Sequence, residues 1–257
     1  MSDELLDELL DVALEAAGRA GTLLRDGRPA DLGVAATKSS PVDVVTEMDL
    51  ASEKLILELI NARRPADGYL GEEGADHPGT SGVRWVVDPL DGTVNYLYGL
   101  PSWGVSVAAE LDGEAVVGVV AVPARGELFH AVLGRGAYLD GAPIRCRPAP
   151  PWGQALVGTG FNYVQSVRVR QAEVLLALMP EVRDIRRAGA AAVDLCDVAA
   201  GRLDAFYERG LQPWDRAAGA LIAAEAGAHT GGPEGMTCTA PPGTYEHLLT
   251  RLQALNA

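Results

Sequence analysis

The sequence predicts a layered α/β fold. Two observations predict it: short strands joined by Asp-Gly turns fill the middle of the chain, and strand-like and helix-like segments alternate through its second half. At 257 residues the chain is long enough for one large domain or two small ones. There is no internal repeat or low-complexity linker, so residues 1–257 are read as one unit. Pro148, Pro150 and Pro151 divide it into an α+β half, about 1–147, and an α/β half, about 152–257.

Ser2 can cap a first helix, with Asp3 and Glu4 in the favourable first turn. Leu6, Leu9, Leu10, Ala13, Ala17, Ala20 and Leu24 then make a helical stripe that runs out near Gly27 and Pro29. Thr46 and Asp49 have the spacing of a capping box, and Leu50, Leu55, Leu57, Leu59 and Ile60 carry a second helix to Arg64 and Pro65. Tyr69 and Leu70 are a short apolar pair ending at Gly71-Glu72-Glu73-Gly74. Residues 103–146 read as an antiparallel meander with turns at Asp112-Gly113, Arg125-Gly126 and Asp140-Gly141. In the second half, strands are expected over 155–160, 184–187 and 203–207, the last ending at Glu208. Helices are expected over 165–179, 190–200, from Gln212 to Glu225, and about 245–255.

The stretch from Trp85 to Tyr96 carries the chemistry. Val83, Trp85, Val86 and Val87 are apolar, as in a buried strand, and two carboxylates follow, Asp88 and Asp91, with Pro89 between them. Pro89 fixes its own φ and restricts Asp88 to extended geometry, so the strand is expected to stop at Asp88. The Leu90 carbonyl lies between the two acids. A helix opening near Thr93 would point the amides of Gly92 and Thr93 at an anion, phosphate above all. One turn can therefore offer carboxylates and a carbonyl to a hard cation and amides to a phosphate, the combination that metal-assisted phosphate chemistry needs. Asp-Pro and Asp-Gly are also ordinary turn pairs, and capping alone explains Thr46, Asp49 and Asp215. Adjacent acids such as Glu72 and Glu73 mean only a solvated loop unless a cation is near.

Composition narrows the classes. Hydrophobic residues make up 48% and aromatics 5%, so the core is built mainly from Ala, Val and Leu. A net charge of −14 argues against nucleic acid and anionic membranes as partners. Cys146, Cys196 and Cys238 are odd in number and unpaired in spacing, which reads as reduced thiols in the cytoplasm. The N-terminus does not resemble a signal peptide, no apolar run reaches the roughly 18 residues of a membrane span, and the four histidines show no zinc spacing.

Taken in order, Gly71-Glu72-Glu73, Trp85-Val86-Val87-Asp88-Pro89-Leu90-Asp91-Gly92-Thr93-Val94-Asn95-Tyr96 and Trp214-Asp215-Arg216-Ala217-Ala218-Gly219 resemble the inositol monophosphatase family of magnesium-dependent, lithium-sensitive phosphatases. The stretch from Lys38 to Asp49 is similar to the family's N-terminal signature, so the resemblance covers nearly the whole chain. It implies an alternating α-β-α-β-α sandwich of the inositol monophosphatase and fructose-1,6-bisphosphatase type, and usually a homodimer. Glu72, Asp88, the Leu90 carbonyl, Asp91 and Asp215 would hold two or three Mg²⁺ ions. Glu72 and Thr93, with Asp91, would carry catalysis by orienting and activating the attacking water. Asp91, Gly92 and Thr93 would cradle the phosphate, with Gly189, Ala190, Ala191 and Asp215 beside the substrate. Lys38, Asp49 and Glu73 would sit in an outer shell.

Arg186 to Asp194 and Asp204 to Glu208 resemble the substrate side of the family, where Glu208 matches the acid that binds inositol hydroxyls. That favours a small phosphorylated polyol, myo-inositol 1-phosphate first. Ala190 stands where many members carry Ser or Thr, and the segment after Gly227 is short. These departures leave histidinol phosphate, fructose 1,6-bisphosphate and 3′-phosphoadenosine 5′-phosphate as alternatives. Two other classes remain: a catalytically silent homologue and an acidic metal-binding protein. The intact set of Glu72, Asp88, Asp91, Thr93 and Asp215 argues against the first, and Gly92-Thr93 against the second.

Overall fold

A computed structural model describes residues 1–38 and 44–255, so Ser39 to Asp43 of the N-terminal signature lie outside the described residues. Helix α1 (Asp3–Asp26) begins as expected, the Ser2 hydroxyl accepting from the Leu5 amide at 3.2 Å. A short ladder, β1 (Ala36–Thr37) with β2 (Val44–Val45), precedes α2 (Glu47–Arg63). The α2 cap also forms: Thr46 N donates to Asp49 Oδ2 at 2.9 Å. The core face of α2 differs from the expected leucine stripe. Met48, Asp49, Ser52, Glu53, Ile56 and Ile60 are buried, whereas Leu50 is exposed.

One eight-stranded sheet follows: β3 (Gly68–Gly71), β4 (Asp76–His77), β5 (Val83–Asp91), then, after the short helix α3 (Thr93–Tyr98), β6 (Gly104–Leu111), β7 (Glu114–Val122), β8 (Glu127–Val132), β9 (Ala137–Leu139) and β10 (Ala142–Ile144). Its order is β10-β9-β8-β7-β6-β5-β3-β4, with β3 and β5 parallel and the meander antiparallel. Asp112 and Asp140 take φ of +52° and +50°, each followed by a positive-φ glycine, as a two-residue hairpin turn requires. The strand β5 does not stop at Asp88. It runs on to Asp91, which pairs with Gly104, and the register breaks between the two acids. Pro89 has no amide to give the ladder, so the irregularity falls there rather than ending the strand.

The second half forms a five-stranded sheet from β11 (Leu156–Thr159), β12 (Asp184–Arg186), β13 (Ala205–Arg209), β14 (His229–Gly231) and β15 (Met236–Ala240), in the order β12-β11-β13-β15-β14. Its helices are α4 (Gln165–Leu178), α5 (Ala191–Ala199), α6 (Pro213–Glu225) and α7 (Thr244–Ala254). Glu208 lies inside β13, one residue before its end at Arg209, rather than at the end itself.

Successive residues of β5 feed two cores, as strand alternation demands. Trp85 and Val87 join Leu9, Ala16 and Ile56 beneath α1 and α2. Val86 joins Ala192, Leu195, Phe206 and Ile222, where α5 and α6 lie between the two sheets. A third core, with Val157, Val174, Leu178, Cys238, Leu248 and Leu252, packs α4 and α7 on the outer face of the small sheet. The layers are therefore α-β-α-β-α, and the proline run 148–151 lies between the two sheets in the chain. Small residues let the middle layer come close: a Cβ on Gly118 of β7 would stand 2.9 Å from the Ala218 carbonyl of α6. The three cysteines are free, Cys196 and Cys238 buried.

Candidate active site

The ends of β3, β5 and β13 and the starts of α3, α5 and α6 meet around a cavity of about 320 Å³. That volume lies at the small end of the range for ligand sites, roughly 300–1,000 Å³, which suits a compact molecule. Its walls include Lys38, Glu72, Asp88, Leu90, Asp91, Gly92, Thr93, Gly189, Ala190, Ala191, Glu208 and Asp215. Of the residues expected at the site, Asp49 and Glu73 stand one layer behind. Five acids against the cations Lys38, Arg187 and Arg209 leave the wall negative.

Each acid is held differently. Asp91 accepts from three amides at the start of α5: Ala191 N at 3.2 Å, Ala192 N at 2.8 Å and Val193 N at 3.4 Å. A carboxylate at a helix N-terminus satisfies orphan amides and the helix dipole together, and here it joins the two halves of the chain. The Ala191 amide is thus engaged by Asp91, while Gly189 and Ala190 line the cavity. Asp88 Oδ1 accepts from Leu90 N at 3.0 Å, and Asp215 Oδ2 from Gln212 N at 2.6 Å. Lys38 Nζ bridges Glu72 and Glu73 at 2.7 and 2.8 Å. The Thr93 hydroxyl lies 2.9 Å from Asp49 Oδ1 and 3.1 Å from the Leu90 carbonyl, so its one proton can serve either oxygen.

Electrostatics follow from this crowding. Burial pushes the Asp88 carboxyl well above the usual carboxylate range, and repulsion from Glu72, Asp91 and Asp215 adds to it. Burial, with further repulsion from Glu72, lifts Asp91 to about 7 and Asp215 to about 8. Burial and then Asp215 lift Glu208 to about 7. Glu73 is raised to about 7 by burial in spite of Lys38. For Lys38 itself, burial pulls downward and is outweighed by Glu72 and Glu73, which hold it charged.

The donor set fits a hard divalent cation: all oxygen, mostly carboxylate, and short of positive charge. Among the described residues no three acids are drawn together tightly enough to form a ready cage. Glu72 accepts from Lys38 and also shares a hydrogen bond with Asp88, while Asp91 is turned to the α5 amides.

Several contributors were not singled out from sequence. Asn95 of α3 donates to Ser102 O at 2.6 Å and Ala188 O at 2.8 Å, anchoring the loop that carries Gly189 and Ala190. Arg186 and Arg187, which open the segment read as the substrate side, have separate surroundings. Arg186 binds Asp184 at 2.5 Å, whereas Arg187 lies over Gly189 at the cavity wall. Gly160, after β11, touches the site because it has no side chain: a Cβ there would stand 1.9 Å from Glu208 Oε2. Beyond Gly160 and Glu208 a second cavity of about 460 Å³ lies under α4, lined by Val167, Val174, Tyr207 and Met236 among others. Glu208 is its one acid.

Comparisons with known proteins bear on the family and the fold. The sequence profile of the inositol monophosphatase family matches residues 5–251. The chain is 44% identical to inositol-1-monophosphatase SuhB of Mycobacterium tuberculosis over 274 aligned positions, covering 96% of this chain and 94% of that protein. It is 39% identical to Nus factor SuhB of Salmonella typhimurium, covering 85% and 83%. The crystal structure of extragenic suppressor protein suhB from Bartonella henselae superposes with a TM-score of 0.88 at 36% identity, covering 95% of this chain and 97% of that one. The chain belongs to the inositol monophosphatase family.

Proposed function

We propose that this chain is a Mg²⁺-dependent phosphate monoester hydrolase with myo-inositol 1-phosphate as its leading substrate. The observation that carries the reading is the broken end of β5. There Asp88, the Leu90 carbonyl, Asp91, Gly92 and Thr93 meet Glu72, Asp215 and the start of α5 on one small polar cavity. Glu72, Asp88, the Leu90 carbonyl, Asp91 and Asp215 would hold two or three Mg²⁺ ions, with Lys38, Asp49 and Glu73 as outer support. Bound there, Mg²⁺ would neutralise the ester, lower the pKa of a coordinated water and stabilise the leaving alkoxide.

The chain's own residues do the rest. Asp91, locked by three α5 amides, keeps a fixed carboxylate at the reacting side. Thr93 and Glu72 orient the attacking water. Thr93 can relay that water's proton to Asp49, whose carboxyl burial raises above its ordinary range. The backbone from Gly92 to Thr93 and from Gly189 to Ala190 receives the phosphate. Glu208, with Asp215 nearby, accepts hydroxyls of the polyol.

A second reading has one specific observation behind it. Glu208 and Gly160 form a wall shared with the apolar cavity under α4, which could take a bulkier alcohol such as the nucleoside of 3′-phosphoadenosine 5′-phosphate. The cytoplasm is the proposed location. No described helix is long and apolar enough to cross a membrane, and free cysteines suit a reducing compartment. A homodimer is proposed from the family and from exposed Tyr98 and Leu100 at the C-terminal end of the site helix; light scattering checks it.

The test of function is phosphate release from myo-inositol 1-phosphate, histidinol phosphate, fructose 1,6-bisphosphate and 3′-phosphoadenosine 5′-phosphate, each with Mg²⁺ and with EDTA. Mg²⁺-dependent release led by the inositol ester is expected. Release led by the nucleotide favours the second reading. No release from any ester, or release unaffected by EDTA, sinks the proposal.

A further inference from the structure

Three polar side chains stand where α2 faces the core: Asp49, Ser52 and Glu53, with exposures of 1, 0 and 9%. Their spacing puts them on one helix face, and the same stripe continues as Ile56 and Ile60. Buried polar groups cost free energy unless partnered, and each of these finds its partner on a different piece of the site. Asp49 holds the Thr93 hydroxyl at 2.9 Å. Ser52 Oγ donates to the Pro89 carbonyl at 2.8 Å, in the turn between Asp88 and Leu90. Glu53 Oε1 accepts from the Glu73 amide at 3.1 Å, and the Ala75 amide also serves its carboxylate. Gly71 admits Glu53 to that turn, since a Cβ there would stand 2.0 Å from Glu53 Oε1 and 2.8 Å from the Tyr69 ring.

We propose that Ser52 and Glu53 are positioning residues through which α2 fixes the two acidic turns relative to each other. Ser52 sets the Asp88–Leu90 turn and Glu53 sets the Glu72–Glu73 turn. The register between β3 and β5 alone does not do this. It is regular only up to the pair Gly71 with Val87, and the acids begin at the next residues on both strands. Beyond that pair, the Glu72 amide bonds Val87 O at 3.2 Å, and α2 supplies the further ties. The polar end of the α2 stripe is thus a template that fixes acids from separate strands relative to one another, as outer partners of metal ligands do.

The proposal rests on the divalent-cation reading of the same turns, and the test separates the two. Mg²⁺ binding is measured by calorimetry, and kcat and KM by phosphate release, for the parent, Ser52→Ala, Glu53→Ala and Glu53→Gln, with thermal unfolding in EDTA as the control for folding. The expected result is Mg²⁺ affinity and kcat lower by roughly tenfold or more in Glu53→Ala, a smaller loss in Ser52→Ala, and Glu53→Gln between Glu53→Ala and the parent. KM for the ester should change little, because the phosphate cradle is untouched. A parent that binds no Mg²⁺ overturns the cation reading. A parent that binds, with folded Ser52→Ala and Glu53→Ala variants that bind and turn over equally well, overturns only the template. Should Glu53→Ala fail to fold, Ser52→Ala decides: parent-like Mg²⁺ affinity in that variant overturns the template.

Discussion

Asp91 accepts three amides of α5, whereas Asp88 accepts one, from Leu90, and is crowded by Glu72, Asp91 and Asp215. The two acids therefore differ in what they do for the fold. Asp91→Ala removes a buried helix cap and should cost about 1–2 kcal/mol of stability, while Asp91→Asn keeps an acceptor and most of that. Asp88→Asn removes a buried charge that metal-free folding must desolvate, so it should raise the melting temperature in EDTA at pH 8. Both Asn variants should lose turnover. Denaturation of the three variants beside an activity assay checks this, and an Asp88→Asn protein that is less stable than the parent in EDTA would contradict the picture of a strained acidic site. Gly160 supports a sharper prediction on specificity. Its Cβ would collide with Glu208, so Gly160→Ala should displace that carboxylate. The KM for a polyol phosphate should rise several-fold while turnover of a simple aryl phosphate, which has no hydroxyls to lose, stays near the parent's.

At the scale of elements, α3 and the loop before α5 are tied by Asn95, whose amide serves two carbonyls at once. Asn95→Asp is nearly isosteric but turns both bonds into oxygen–oxygen contacts. A destabilisation of about 1–3 kcal/mol is expected from the lost donors, with weaker substrate binding because Gly189 and Ala190 lose their anchor; urea unfolding and KM report the two effects. Asn95 also shows where reading the sequence stops. The acidic turn is legible because its chemistry is local: Asp88, Leu90, Asp91 and Thr93 lie within six residues, and Pro89 and Gly92 fix their backbone. Helices α1 and α2 announced their starts through Ser2 and Thr46. Ser52, Glu53 and Asn95 were illegible as site residues because they act on backbone atoms 37, 20 and 93 positions away. Only the fold brings those atoms near. The leucines of α2 misled for a related reason. The core face of that helix is polar at the site end, so Leu50 points to solvent and Leu55, Leu57 and Leu59 only flank the core that Ile60 enters, and buried Asp49, Ser52 and Glu53 on one face are the mark that was available. The end of β5 was misplaced because Pro89 breaks the register without ending the pairing.

At the scale of the whole molecule, the five layers converge several acids on one cavity, and folding without a cation must accept their repulsion. Asp91 and Glu208 are raised to about 7, Asp215 to about 8 and Glu73 to about 7, from unfolded values near the ordinary carboxylate range. A carboxyl whose folded pKa is raised binds its proton more tightly in the folded state. The stability it contributes is complete below its unfolded pKa, near 4, and is lost as pH rises through its folded pKa, here about 7 to 8. The metal-free protein should therefore melt at progressively lower temperature between about pH 5 and pH 8.5. A divalent cation bound by the ionised carboxylates reverses this, because it stabilises the folded state in proportion to its occupancy and competes with protons for the same oxygens. Saturating Mg²⁺ should thus raise the melting temperature little at pH 5 and most at pH 8. Na⁺ at matched ionic strength, which only screens, should recover a small part. Melting curves across that range in EDTA, Mg²⁺ and NaCl measure the difference directly. A Mg²⁺ increment that is flat with pH would place cation binding away from these carboxylates.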